Sequence, residues 1–296
     1  MDWKKQVIAI VGGDRREQEI ARLAAATGAE VRAYGFPWPV GGIKNVLQVA
    51  NPTVALNGAN IVLFPIPGMS AAGTLFAPSA PAPIIPDRAM LSGLRQPAHI
   101  ILGWANDALK AHCQDLGITL HEYEWDVELM LLRTPAIVEG LLKVIIENTE
   151  ITIHKSRVCV VGQGTIGFVV ARTMIALGAH TYVAARNPVQ RAAAYAAGAE
   201  VLALSDLGSL AVELDTIVSS VPNQIIGRAV LEHLPKHALL VDLAAPPGGI
   251  DRDVAKELGL KFVWARGMGS RAPVTVGASQ WYGIKKRIEA IHGEAE

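Results

Sequence analysis

The chain opens on an unbroken apolar run, Val7-Ile8-Ala9-Ile10-Val11, which stops at Gly12-Gly13. Beyond it, Ile20, Leu23 and Ala24 recur at helical spacing within 17–27. A short β-branched run, a glycine turn and an amphipathic stretch predict strand, turn and helix. Further short apolar runs predict strands at 30–34, 59–65, 99–102 and 119–123, with a helix at 105–116 before the last of them. Apolar on both faces and separated by helices, such strands belong in a parallel sheet with helices packed on both sides. Residues 65–86 break the pattern: rich in Pro, Gly, Ala and Ser, they predict a long loop of the kind that often carries function.

The same grammar restarts at 157–161 and continues with predicted strands at 181–185, 216–221, 238–243 and 261–264. Between the two series, Thr134-Pro135 reads as an N-cap followed by proline at the first helical position, with an apolar helix over 137–147. After Pro273, Trp281, Ile284, Ile288 and Ile291 mark one face of a terminal helix. The fold class expected is α/β, two doubly wound, Rossmann-like parallel-sheet domains joined by a long helix, with the C-terminal helix packing back on the N-terminal domain. The expected boundaries are 1–133 for a substrate domain, 134–272 for a nucleotide domain that begins with the joining helix 134–148, and 273–296 for the returning helix.

Composition narrows the function. The chain has 296 residues, 51% of them hydrophobic, long enough for two domains at roughly 150 residues each. Its 27 Lys and Arg balance 27 Asp and Glu, so there is no basic excess to wrap nucleic acid. That neutrality, with little colloidal repulsion, makes a homo-oligomer or a partner protein expected. Mean hydropathy is +0.30, yet the longest apolar tract, 158–185, contains Gly162, Gln163, Gly164, Gly167, Arg172 and His180, which fits a strand–turn–helix and not a membrane span. The N-terminus lacks a secretory apolar core, so a cytoplasmic location is expected. Cys113 and Cys159 are the only cysteines, which leaves no disulfide framework and no metal site expected.

The strongest chemical signal is Gly162-Gln163-Gly164-Thr165-Ile166-Gly167, set between the strand at 157–161 and a helix through 168–177. In this context the first glycine permits a tight turn, the second lets a pyrophosphate approach, and the third allows close helix–strand packing. The helix N-terminus, Thr165 and Ile166 included, then offers unpaired N–H groups to the anion. Where an NAD enzyme usually places a carboxylate for the ribose 2′-hydroxyl, this chain has Ala184-Ala185-Arg186-Asn187. Arg186 suits a 2′-phosphate and Asn187 a hydrogen bond to it, so NADP is expected over NAD. Arg191 either adds charge or is a solvated helix arginine. Ser220-Val221-Pro222 and Asp242-Leu243-Ala244 fall at strand ends where a nicotinamide ribose would lie, although Asp242 equally suits a loop cap.

Taken in order, Gly12-Gly13-Asp14-Arg15, the Thr134-Pro135 junction ending at Val138-Glu139-Gly140, Thr152-Ile153-His154, Ala185-Arg186, Asp242-Leu243-Ala244 with Pro247-Gly248-Gly249, and Gly267-Met268 closely resemble the family of dipicolinate synthase A subunits. The resemblance runs from about Ile8 to the final helix. It implies a layout similar to the D-2-hydroxyacid dehydrogenases and NADP-dependent oxidation of dihydrodipicolinate, or of its hydroxylated tetrahydro precursor, to pyridine-2,6-dicarboxylate. It also implies the lysine-pathway branch of a sporulating mother cell and, as partner, the flavoprotein-like B subunit of dipicolinate synthase.

Oxidation that makes a ring aromatic needs a hydride acceptor and a proton acceptor more than a nucleophile. The chain has no G-x-S-x-G elbow and no Cys–His pair. For a dicarboxylate substrate the candidate binding residues are Gly68, Met69, Ser70, Thr134, Arg15 and Arg271. Each has a plainer reading: Thr134 as an N-cap, Ser70 as a loop hydroxyl, Arg15 as a helix salt bridge. Glu139 and His154 are the candidate bases, and the base stays unassigned. Two other functions remain: a different 2-hydroxyacid dehydrogenase-like enzyme, weakened because no His follows Lys261 before His292, and a non-catalytic nucleotide-binding subunit.

Overall fold

The computed structural model describes residues 2–293. It separates into two compact units, Met1–Arg133 with Ala272–Glu296, and Thr134–Arg271. In the first, parallel strands β1 (Val7–Val11), β2 (Glu30–Tyr34), β3 (Val46–Gln48), β4 (Ile61–Leu63), β5 (His99–Leu102) and β6 (Thr119–Glu122) are ordered β3-β2-β1-β4-β5-β6. In the second, β7 (Arg157–Val161), β8 (His180–Ala184), β9 (Glu200–Leu202), β10 (Thr216–Ser219), β11 (Leu239–Asp242) and β12 (Lys261–Trp264) are ordered β12-β11-β10-β7-β8-β9. Both sheets therefore have the doubly wound order 3-2-1-4-5-6, whose direction reverses between the first and fourth strands. The expected α/β class holds for both.

The period of two along each central strand feeds two separate cores. Ile8 and Ile10 face one side with Ile20, Ala24, Trp281, Ile284 and Ile288, while Ala9 and Val11 face the other with Leu56, Phe64 and Leu109. In the second unit Val158 and Val160 pack with Leu141 and Met174, and Cys159 and Val161 with Leu207 and Leu240. Burial pushes the Cys159 thiol up to about 12 and Cys113 up to about 11, so both act as small apolar groups.

The terminal helix Pro273–Gly293 packs on the first unit, as expected. Gly277 makes this close: a Cβ there would collide with the Arg16 carbonyl. Arg287 bonds Asp126 at 2.6 Å and Lys286 meets Glu128 at 3.1 Å, tying the same helix down. No helix among the described residues is long and apolar enough to cross a membrane.

One expectation needs correction, and two strands are added to those predicted. The helix at the junction spans Val127–Asn148, so Thr134 is not its N-cap and Pro135 lies inside it. Asp126 opens it instead, its Oδ1 accepting from the Leu129 N–H at 3.1 Å. Interior proline costs a helix one hydrogen bond, on the order of 3 kcal/mol, and apolar packing on the sides of a 22-residue helix outweighs it. The strands β3 and β9 carry no strong sequence signal: three residues each, on sheet edges, they are largely exposed.

Candidate functional site

In the second unit the strand-order reversal falls between β7 and β10, and the predicted glycine loop occupies it. Gly162 leaves β7 with φ +98°, donating its N–H to the Ala184 carbonyl at 2.9 Å. Its missing side chain is required twice over, because a Cβ would meet Val221 Cγ2 at 2.7 Å and Ser220 Oγ at 2.8 Å. Gly167, one turn into the helix Thr165–Ala176, sits against the Gly162 carbonyl with no room for a Cβ. Gly164 differs: nothing lies within 4 Å of where its Cβ would be, and no side chain caps the helix. The first and third glycines thus pull strand and helix together, and the second leaves open space before the bare N–H groups that begin at Thr165 and Ile166. That is the shape a dinucleotide pyrophosphate requires.

Around this loop the sheet edge is tied by Ser220, whose N–H and Oγ both donate to the Val161 carbonyl at 3.0 and 3.2 Å. Val221 and the exposed Pro222 continue from it. Asp242 closes the other side. It is 1% exposed, its Oδ1 accepting from the Ala244 N–H at 2.9 Å and its Oδ2 from Gly249 at 2.7 Å and Ile250 at 3.1 Å. Its carboxylate therefore holds the 244–250 loop in place, and the loop-cap reading is the one the geometry gives. Leu243 donates its N–H to the Ser219 carbonyl, and the Ala244 carbonyl accepts from Trp264 Nε1 at 3.0 Å.

At the end of β8, Arg186 is exposed and its guanidinium pairs with no carboxylate among the described residues. Asn187 caps the helix Pro188–Ala196, accepting from the Val189 N–H at 2.8 Å. Arg191 is neither a free cation nor an idle surface arginine: its Nη1 donates to the carbonyls of Ala185 and Arg186 at 2.7 and 2.8 Å. It braces the loop that presents Arg186.

His154 precedes β7, at the opposite end of the strand from the glycine loop, and is exposed beside the Leu177 carbonyl. Five residues of strand put about 16 Å between those ends, out of reach of a proton transfer. Glu139 and Arg271 form an ion pair with each other at the margin of an open surface groove with Leu142 and Ile146.

In the first unit the reversal falls between β1 and β4. Met69 is buried in the core, and the N–H groups of Gly68, Met69 and Ser70 are committed to the carbonyls of Pro65, Trp104 and Thr74. The Ser70 hydroxyl bonds that of Thr74 at 2.7 Å. This loop is therefore a self-satisfied turn. Thr134 is fully buried. Arg15 is exposed and makes no ion pair among the described residues.

The residue beside it carries the interest. Arg16, buried, grips Asp14 with two bonds of 2.8 and 2.9 Å. Glu17, 3% exposed, folds back under Gly13 to accept the Asp14 N–H at 2.7 Å, while its Oε1 has no partner. Burial pushes this carboxyl up to about 7, against the opposing pull of Arg16. Asp14-x-x-Glu17 is a capping-box spacing that the sequence displays and that identifies Glu17 in retrospect. A raised carboxyl binds its proton more tightly in the folded state. Its contribution to stability is thus full below the ordinary carboxylate range and lost as pH rises through about 7. Thermal unfolding is expected to show wild type losing on the order of 2 kcal/mol between about pH 5 and pH 8 from this group, and Glu17→Gln removing that slope. An unchanged slope in the variant contradicts the assignment.

Comparison with known proteins agrees with this picture. Residues 7–124 match the family model for the N-terminal domain of the dipicolinate synthase A subunit, and residues 144–261 the model described as shikimate / quinate 5-dehydrogenase. The dipicolinate synthase A subunit of Bacillus subtilis (strain 168) is 27% identical over 293 residues, covering 97% of each chain. The crystal structure of the dipicolinate synthase A subunit from Bacillus halodurans superposes with TM-score 0.88 at 28% identity, covering 97% of this chain and 98% of that one. D-lactate dehydrogenase from Escherichia coli shares the fold alone, with TM-score 0.61 at 15% identity over 96% of each chain. The nucleotide-binding, dehydrogenase-type layout and the resemblance carried by the ordered motifs are both borne out. Along nearly its whole length, this chain is similar to the dipicolinate synthase A subunit.

Proposed function

We propose that the chain is the NADP-dependent oxidoreductase component of dipicolinate synthesis, oxidising dihydrodipicolinate, or its hydroxylated precursor with loss of water, to pyridine-2,6-dicarboxylate. The observation that carries the reading is the full-length likeness to the dipicolinate synthase A subunit together with the glycine loop and its open helix terminus. Gly162, Gly164 and Gly167 with the N–H groups at Thr165 and Ile166 would hold the pyrophosphate, Arg186 and Asn187 the 2′-phosphate. Ser220, Val221, Pro222, Leu243 and Ala244 would flank the nicotinamide ribose, with Asp242 and Arg191 fixing the loops behind. Bound NADP⁺ supplies the hydride acceptor. The protein's own share is to orient the two rings, exclude water and hold the substrate's negative charge. The relatives are named as one subunit of a synthase, which supports the B subunit as partner; a homo-oligomer and the cytoplasm of a sporulating cell belong to the same proposal.

The cofactor choice is tested by titrating NADPH and NADH into wild type and Arg186→Ala. Only NADPH carries the phosphate that a guanidinium can pair with. The variant is expected to lose about tenfold to a hundredfold in NADPH affinity and less than about threefold for NADH, as a charge-assisted contact of ~1.5–3 kcal/mol requires. Equal losses for both dinucleotides refute the assignment.

A further inference from the structure

Beyond the glycine loop, the first unit contains a second concentration of buried polar groups at the carboxyl edge of its sheet. Tyr123 follows directly after β6 and is 2% exposed. Its hydroxyl makes no hydrogen bond among the described residues, although Glu17, Arg16, Arg133 and Glu124 all act on it electrostatically. Arg133 is 9% exposed, and its contacts are poor for a buried guanidinium. They comprise Met130 Sδ at 3.3 and 3.4 Å, the Glu124 carbonyl at 3.5 Å, and the Glu124 carboxylate at 3.5 Å. The third member is Glu17, with Oε1 buried and unpartnered.

A native interior rarely leaves a buried carboxyl oxygen without a partner beside a phenol that makes no hydrogen bond and a guanidinium held only by long contacts. Most of the neighbouring charges are already engaged. Asp14 is taken by Arg16 and Asp126 by Arg287, whose guanidinium also lies over the Tyr123 ring at 5.5 Å. Glu124 pairs with Arg133 only at 3.5 Å, and burial raises the carboxyls of both Glu17 and Glu124 above their ordinary range. What remains is a buried cation held by long contacts, a phenol with no hydrogen bond among the described residues, and the unpartnered Glu17 Oε1, which becomes a donor when that carboxyl is protonated. A carboxylate is the group that satisfies all three, since it offers two oxygens to a guanidinium and further lone pairs to hydroxyl donors.

We propose that Arg133, Tyr123 and Glu17 line a site in the first unit that takes the carboxylate of a small organic acid. The site deepens the proposed function, and rests on it for the identity of the acid: one carboxylate of the pyridine dicarboxylate binds here. Arg16 is a positioning residue, fixed by Asp14 behind Glu17. Neither Arg15 nor the 68–70 loop takes part.

The test is calorimetric titration of the full chain, with NADPH bound, using pyridine-2,6-dicarboxylate and pyridine-2-carboxylate as probes. Wild type is compared with Arg133→Met and Tyr123→Phe. Arg133→Met is expected to weaken both acids by about tenfold or more, and Tyr123→Phe by about threefold to tenfold, with NADPH affinity unchanged in each. Thermal melts establish that the variants fold; if Arg133→Met does not, Tyr123→Phe, which keeps the packed ring, decides. Folded variants that bind the acids as wild type does overturn the site while leaving the oxidoreductase reading intact. So does a wild type that binds neither acid yet turns over. A wild type that binds pyridine-2-carboxylate but not the dicarboxylate, with the loss in Arg133→Met, upholds the site and removes the dicarboxylate from the proposed reaction.

Discussion

Replacing Gly167 by alanine is expected to abolish dinucleotide binding and to lower stability together. The added methyl would fall inside the van der Waals shell of the Gly162 carbonyl oxygen, with Ser220 Oγ at 3.0 Å on another side. Both neighbours are fixed: the oxygen is backbone, and Ser220 is held by the Val161 carbonyl. The helix Thr165–Ala176 must therefore back away from β7, which costs about 1–3 kcal/mol as overpacking and misaims the N–H groups at its start. NADPH affinity, measured by fluorescence titration, should fall by about a hundredfold or more. Gly164→Ala is the control. Its methyl meets no protein atom within 4 Å, so the melting temperature should hold while affinity drops, because the space it fills is where a pyrophosphate would lie. Equal melting temperatures and affinities for Gly167→Ala and wild type would contradict the packing described for this turn.

The second large effect belongs to Asp242. Its carboxylate accepts from three loop N–H groups, those of Ala244, Gly249 and Ile250. Asp242→Ala leaves these donors unsatisfied at a buried position. With about 1–3 kcal/mol for each orphaned donor and incomplete additivity, a total near 3–5 kcal/mol is expected. For a domain of this size that corresponds to a fall of roughly 10 °C or more in melting temperature. Asp242→Asn keeps one oxygen acceptor and should lose about half as much. If Asp242 contributed mainly through a contact with bound dinucleotide, the apo protein would melt normally and only the shift produced by NADPH would shrink. Melting curves with and without NADPH separate the two.

How much of the fold and site is legible in the sequence follows from what each residue must do locally. Short apolar or β-branched runs between turn residues place β1, β2, β5 and β7, and also the edge strand β12, where the pattern predicts them. The glycine loop is readable because its three positions have distinct steric duties, and those duties appear as the presence or absence of room for a Cβ. Edge strands β3 and β9 escape, since an edge exposes one side and three residues are too few for a period to register. The junction helix misleads through Thr134-Pro135: a proline after a threonine looks the same at a helix start as inside a helix whose packing tolerates it. Site residues are harder. Arg15 and Arg16 are adjacent arginines, and only the tertiary fold determines which is buried. Glu17 and Arg133 both act on Tyr123 from separate parts of the chain, and no local spacing announces a cluster of that kind.

Charge shows the same contrast between sum and placement. The balanced 27 and 27 excludes a broadly basic surface. Arg186, unpaired and exposed, and Arg133, buried among long contacts, are cations whose neighbours do not neutralise them closely. A dinucleotide with an extra phosphate and a dianionic acid each require one such group, not a basic face.

One reaction tests NADP-dependent formation of dipicolinate directly. The purified chain, alone and with the B subunit of a dipicolinate synthase, is mixed with NADP⁺ and the freshly generated product of dihydrodipicolinate synthase, while NADPH and the ultraviolet bands of pyridine-2,6-dicarboxylate are followed together. Both signals are expected to rise in equal amounts, and NAD⁺ in place of NADP⁺ to support a much slower reaction. NADPH binding without formation of either product, with and without the partner protein, would contradict the proposed chemistry.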